Sequence, residues 1–507
     1  MSDSLSSSHR DRPGLWSWLF LVGFVGFLQG IGLGNHGLFE PDEGRYANMA
    51  MEWTEFGEHH WAVPVLSDVG HFDKPPLIYW LTGSSLLLFG KSELAARLPS
   101  ALGAMLTLTG IGLLAARRGG AQAAWWGVLA GATTFHFWAL SHLLSPDMLM
   151  CGFATLGAAL ALKAGPGRSK GWLWWSAGAL CWSLAWWTKA TACLVPLGAL
   201  ALALRLTGQT KLLAALRPVR LLLVILLLGS PWYVAMMLRF EELRDFFLHR
   251  ELAGRITGHQ DGRHGFPGFH VVVAMVLWLP WWPMLLAPAR RGWARWKSAP
   301  WAERLTSLPW EPVAAVGVVL IFSVISSKLM TYVLPGMPYL AAYVGHLLAQ
   351  RQPATLSLKR PALQVAGGAA LIAIAVSYFA PRLESSLGSN SSLRHAVSAA
   401  RDQGAGWIVC RNFWPGAEFY FGEGVWYVDV KDILQASDIR GQIPTKHFLS
   451  KREVSDRVGS VEDSVWLIQG KQSADDLQKW ERILIENRPD PEQAPLTVGN
   501  FLLWRVR

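Results

Sequence analysis

The stretch Phe39-Glu40-Pro41-Asp42-Glu43-Gly44-Arg45-Tyr46 follows the first long apolar run of the chain. It packs the carboxylates of Glu40, Asp42 and Glu43 against Arg45 in a chain otherwise poor in acid. Adjacent carboxylates beside a membrane cost self-repulsion and desolvation, so their retention points to a purpose. A solvated acidic turn punctuated by Pro41 is the plain alternative. What surrounds the stretch decides between them.

Outward from it, the chain is apolar. Of its 507 residues 51% are hydrophobic and 16% charged, which excludes an ordinary soluble multidomain protein and fits a polytopic α-helical membrane protein. A helix needs roughly 20 apolar residues to cross a bilayer. Candidate runs lie near 15–33, 97–116, 121–140, 148–163, 172–188, 190–206, 218–238, 268–288, 312–326, 333–349 and 362–380, about 11 spans in all. The run at 75–90 opens on Pro75-Pro76 and reads as a juxtamembrane helix on the outer face. Many of the 28 Trp cluster near segment ends, as in Trp125-Trp126 and Trp281-Trp282, like an interfacial belt. The four cysteines lack metal or disulfide spacing.

Charge sets the orientation. Arg10 and Arg12, Arg117 and Arg118, Lys163 and Lys170, Arg205 to Arg220, Arg290 to Lys297, and Arg351 to Arg360 all fall on one side, which the positive-inside rule makes cytoplasmic. The formal charge of +10 therefore reports topology, and no nucleic acid partner is expected. Nearly every acid before residue 380 falls in an outward loop. Segment 381–507 is polar, carries strand-like runs at Trp407-Ile408-Val409-Cys410, Val425-Trp426-Tyr427-Val428, Val465-Trp466-Leu467-Ile468 and Phe501-Leu502-Leu503-Trp504, with a helix expected from Ala474 to Asn487, and reads as a small outer α/β domain. The expected division is a cytoplasmic tail 1–14, a membrane domain 15–380 and a soluble domain 381–507.

The outward loops hold the chemistry. Lys74, Lys189, Arg255 and Lys328 suit phosphate oxygens, and Asp42 suits taking or orienting an acceptor proton. Transfer of a sugar from a lipid phosphate requires both, because the leaving phosphate must be stabilised while the acceptor is held in line. No Walker loop or dinucleotide Gly motif is present, which argues against ATP or NAD chemistry. Structural readings stand beside each: Lys74 snorkelling to headgroups, Asp147 as a helix N-cap, Lys189 as a helix end, Arg255 on general lipid headgroups, and Tyr332 as an interfacial aromatic. His71, His249, His259 and His264 leave a divalent metal conceivable without standard spacing.

In order, Pro41-Asp42-Glu43-Gly44-Arg45-Tyr46-Ala47, Phe72-Asp73-Lys74-Pro75-Pro76 with Tyr79-Trp80, Pro146-Asp147, Thr188-Lys189, Phe246-Phe247 through Glu251 to Arg255, and Lys328-Leu329 with Thr331-Tyr332-Val333-Leu334-Pro335 resemble the GT-C fold lipid-phosphate-dependent glycosyltransferases. The branch is that of the bacterial aminoarabinose transferase and the protein O-mannosyltransferases. The resemblance implies an enzyme of the bacterial inner membrane taking a sugar from a polyprenyl-phosphate donor, undecaprenyl foremost, at the periplasmic face. Acceptors would be lipid A, another envelope glycan or a protein. It further implies Asp42, at the acceptor and the reaction centre, and Asp147, in the second loop, as catalytic carboxylates, with Glu43 grouped beside them and, like Arg45, supporting the first loop. Lys74, Arg255, Lys328 and Tyr332 would sit around the donor phosphate, and Arg45, Tyr46, Asp73 and Lys189 would support them. The chain departs from the aminoarabinose enzymes at Asp73, where they carry Glu, and at Met330, where they often have Pro. It also has fewer expected spans, so their sugar is not carried over. A lipid-glycan transporter and a membrane scaffold are the rival readings.

Overall fold

In a computed structural model, residues 13–55, 61–67, 69–165, 169–253, 265–298, 300–350, 353–384, 392–428, 447–470 and 495–507 are described. The chain forms two compact units: residues 1–31 with 99–375, and residues 32–98 with 376–507.

The first unit is helical, and each apolar run places a helix there. Prolines mark the breaks in the 218–238 and 268–288 runs, because a proline cannot donate the helix hydrogen bond and clashes with the preceding turn. The 218–238 run divides into Pro218–Gly229 and Pro231–Arg239. The 268–288 run, expected as one span, is broken around Leu279-Pro280 into Phe269–Leu277 and Trp282–Arg290, bent by 97°. The 121–140 run is cut between Ala132 and Phe135, and Phe135–Ser141 meets Pro146–Lys163 at 118°. Among the described residues, three helical stretches are long and apolar enough to cross a membrane, or up to five if each bent pair is one span. The surface matches a lipid solvent: Trp16 is 82%, Val219 73% and Leu371 68% exposed. The core holds Trp182, Trp281, Phe137 and Tyr339 among many small alanines. The four cysteines are unpaired.

The second unit joins the first loop to the C-terminal segment. Its six-stranded sheet runs β5-β4-β3-β6-β8-β7, with β3 Trp407–Cys410, β4 Val425–Val428, β5 Phe448–Leu449, β6 Val465–Gly470, β7 Leu496–Val498 and β8 Phe501–Arg505. The β5-β4-β3-β6 part is parallel and β8 pairs antiparallel with both β6 and β7. All of β4 is buried, as parallel strands covered on both faces are. The four expected strands are all present. The helix expected at Ala474 to Asn487 lies outside the described residues. The first loop adds the helices Asp42–Glu55 and Leu77–Phe89 and a hairpin of β1 Val65–Leu66 and β2 Val69–Gly70. The expected boundary at residue 380 falls inside the helix Pro353–Glu384.

Candidate active site

In the second unit, Asp42 and Glu43 occupy the first turn of Asp42–Glu55, where the helix dipole favours carboxylates. Their environments differ sharply. Glu43 is 3% exposed and grips the fully buried Arg97: Nε donates to Oε1 and Nη2 to Oε2, both at 2.8 Å. Arg97 also donates to the carbonyls of Leu33 (2.9 Å), His36 (3.0 Å) and Gly37 (3.0 Å), and the Phe39 N–H donates to Glu43. Glu43 is thereby tied into the loop through Arg97. Arg97, which the sequence did not single out, is the peg.

Asp42 faces out, its side chain 72% exposed, and accepts from Arg45 Nη2 at 2.8 Å. Arg45 lies 3.9 Å from Asp73, and His71 Nε2 lies 3.4 Å from the same Asp73 oxygen. Lys74 Nζ donates to the Asp73 carbonyl at 3.1 Å. The hairpin β1-β2 ends at Gly70 and so delivers His71 and Asp73 to this cluster. Burial pushes the Asp73 carboxyl up, but His71, Lys74 and Arg45 outweigh it and hold the group well below its ordinary value. Tyr46 closes the side, with Arg45 5.4 Å from its ring centroid and Tyr79 stacked at 6.1 Å.

The C-terminal segment supplies the rest of the frame. Glu40 Oε1 accepts the Gly416 N–H at 2.8 Å, and Glu40 Oε2 is buried with no hydrogen-bond partner among the described residues. A Cβ at Gly44 or at Gly416 would overlap this carboxylate. Glu418 accepts from Asn48 Nδ2 at 2.7 Å and from the Ser67 hydroxyl, and the Tyr420 hydroxyl accepts the Leu38 N–H at 2.8 Å.

Burial drives the Glu40 carboxyl from 4.5 up to about 8, against the Gly416 N–H, which pulls it down. Between those values the folded chain keeps a proton that the unfolded chain has released. Stability therefore falls as pH rises through the window and levels off above it. Burial raises Glu418 in the same direction. Glu40→Gln is expected to flatten, without abolishing, the decline of apparent Tm over that window in detergent. Superimposable slopes for the two proteins would sink this account. Gly44→Ala is expected to cost about 1–3 kcal/mol by overpacking. Denaturant midpoints check it, because Glu40→Ala in the same chain removes the obstacle and should recover most of the loss.

In the first unit, three segments expected on one side of the membrane meet. Ser145 caps Pro146–Lys163 by accepting the Asp147 N–H at 3.1 Å, which leaves the Asp147 carboxylate to pair with Lys189 Nζ at 2.6 Å. Both side chains are buried, at 10% and 7% exposure. Lys189 ends Gly171–Lys189 and lies 5.2 Å from the ring centroid of Tyr332. Tyr332 stacks on Phe322 at 4.7 Å and on His270 at 5.9 Å. His270 is a partner that an apolar run gave no reason to notice. Lys328 turns back instead, donating to the carbonyls of Ser323 (2.7 Å) and Ile325 (2.6 Å) at the end of Trp310–Val324. Arg255, with His259 and His264, lies outside the described residues. Among the described residues no three His, Cys, Asp or Glu side chains gather as a metal group.

The fold can be set against known proteins. The chain superposes on ArnT from Cupriavidus metallidurans bound to undecaprenyl phosphate with a TM-score of 0.77, covering 97% of this chain and 99% of that one at 18% identity. An oligosaccharyltransferase from Archaeoglobus fulgidus in the apo form follows at a TM-score of 0.52, 11% identity, 94% of this chain and 72% of that one. At these identities the likeness bears on the fold. The sequence adds to it. A family model described as dolichyl-phosphate-mannose-protein mannosyltransferase matches residues 73–234. An undecaprenyl phosphate-alpha-4-amino-4-deoxy-L-arabinose arabinosyl transferase of Pseudomonas paraeruginosa is 30% identical over 73% of this chain and 66% of its own length. The chain belongs to the GT-C-fold, aminoarabinose-transferase-like family. A second relative of the same description, from Pectobacterium carotovorum, is 30% identical over 62% of this chain and 56% of its own length. The chain thus spans less than two thirds of these curated family members. It shares with the family a multi-pass membrane architecture.

Proposed function

We propose that the chain is a glycosyltransferase moving a sugar from a polyprenyl-phosphate donor, undecaprenyl phosphate foremost, to an acceptor at the periplasmic face. Lipid A, another envelope glycan or a protein is the acceptor class. The observation that carries the reading is the contrast within one turn of helix: Glu43 is locked to Arg97, while Asp42 stands exposed and aimed by Arg45. A carboxylate presented on a rigid, buried frame is the arrangement that a general base requires. A hydroxyl acceptor would lose its proton to Asp42 as its oxygen attacks the anomeric carbon, and the donor phosphate would leave from the opposite face in a single inverting displacement. Lys74 and Arg255 would meet the developing phosphate charge. Lys189, buried against Asp147 beside Tyr332, is a further candidate cation for that phosphate, its charge strengthened by the low dielectric around it. Lys328 is the remaining candidate cation for the donor phosphate.

The names of the relatives support an undecaprenyl-phosphate donor. An apolar cavity of about 460 Å³ in the helical unit, lined by Phe135, Trp138, Leu279, Pro280 and Ile372, offers a bed for a polyprenyl chain. The basic clusters support an inner-membrane protein with a cytoplasmic N-terminus and residues 381–507 in the periplasm. Mass spectrometry of envelope lipids, glycans and proteins, from cells with and without the chain, tests the proposal. One acceptor should gain one sugar mass when the chain is present, and its polyprenyl-phosphate sugar should accumulate when it is absent. An unchanged acceptor pool in cells shown to make the donor would remove the transferase reading.

A further inference from the structure

A second cavity of the helical unit, of about 860 Å³, is lined by Arg117, Arg118, Lys211, Trp296, His346 and Gln350 together with apolar Leu212, Leu308 and Leu347. It lies away from Asp147. Arg117 Nη1 donates at 2.6 Å to the carbonyl of Leu162, at the far end of the helix that Asp147 begins. At about 1.5 Å per residue that is roughly 22 Å along the axis.

The lining carries three cationic side chains and, among the described residues, no carboxylate. Arg118 is partly offset by the buried Glu311 behind it, at 2.9 Å, yet stays 40% exposed. Arg117 and Lys211 are exposed. Two ring nitrogens of lining residues lack a partner as well. Trp296 Nε1 and His346 Nδ1 are buried with no hydrogen-bond partner among the described residues, although burying such groups unpaired is costly. The far ring nitrogen of His346 lies 3.1 Å from Gln350. The Trp296 ring stacks on Trp293 at 4.6 Å, an aromatic pair suited to the membrane interface.

We propose that this cavity binds the phosphate headgroup of an anionic phospholipid from the leaflet facing the basic loops. Basic pockets between membrane helices on the cytoplasmic side recognise such headgroups. The cavity is much larger than a bare phosphate needs, and the leucines among its lining suit the start of acyl chains. The inference rests on the charge asymmetry and this geometry, and it is independent of the transferase reading.

Native mass spectrometry of the full chain, released from detergent with equal amounts of dioleoyl phosphatidylglycerol and dioleoyl phosphatidylcholine, tests it. Retained phosphatidylglycerol should exceed phosphatidylcholine by about tenfold, equivalent to about 1.4 kcal/mol. Lys211→Glu and His346→Phe should each lower that ratio severalfold, with Tm in detergent confirming that both variants fold. Equal retention of the two lipids, or a ratio unmoved in both folded variants, would overturn the proposal. So would inorganic phosphate raising the Tm of the wild type while phosphatidylglycerol leaves it unchanged, which would mark a free-anion site.

Discussion

Asp42→Asn is expected to lower the rate of sugar transfer by about 10²–10⁴-fold, the usual worth of a general base, while leaving the protein folded. The folding half follows from the structure. The Asp42 side chain is 72% exposed and accepts from Arg45 through one oxygen, which an amide oxygen can replace. The surrounding frame, held by Glu43 and Arg97, does not depend on it. The rate half follows from chemistry, because asparagine cannot accept the acceptor's proton. Transfer from a polyprenyl-phosphate sugar in proteoliposomes checks both halves, with apparent Tm as the folding control. A loss in kcat with KM kept within a few-fold marks an interaction made in the transition state. A folded variant that retains a third of the wild-type rate would take Asp42 out of the proton-transfer step. An acceptor already ionised would leave Asp42 only an orienting role.

Arg97→Leu is expected to destabilise the second unit by about 3–5 kcal/mol, the cost of stranding one partner of a buried ion pair. The variant leaves the Glu43 carboxylate buried without its guanidinium, and the carbonyls of Leu33, His36 and Gly37 lose their donor. Two effects should appear together: a large fall in apparent Tm, and proteolytic opening of the loop before Asp42. Glu43→Leu should cost a similar amount, because Arg97 is then the uncompensated charge. The double variant distinguishes ion pair from scaffold. Apolar replacement of a buried pair is often close to neutral, so the double variant should recover part of the loss, but the orphaned carbonyls keep it below wild type. A single variant as stable as wild type would show that the loop is held by other means.

Much of the site was legible because each part sits in a local pattern. Pro146-Asp147, Thr188-Lys189 and the Lys328-to-Pro335 segment each stand at the end of an apolar run, and parity put them on one side. The structure brings Asp147, Lys189 and Tyr332 together there. It parts Lys328 from that expectation, because the open carbonyls at the end of Trp310–Val324 are nearer partners for an ammonium group. The Arg97 peg was hidden. An arginine at the start of an apolar helix reads as an interface residue, and nothing local distinguishes Glu43, which faces inward, from Asp42, which faces out.

The sequence by itself determined the membrane class, the positions of the helices and the four main strands of the C-terminal sheet. Hydropathy and β-branched or aromatic runs act over tens of residues or fewer, and a helix or strand satisfies its own pattern locally. Tertiary structure alone decided the two-residue strands β1, β2 and β5 and the frame under the first loop. Glu40 meets Gly416, and Asn48 meets Glu418, across more than three hundred residues of chain. Such contacts leave no period in the sequence. They exist because buried carboxylates must find donors, and in this fold those donors come from the other end of the chain.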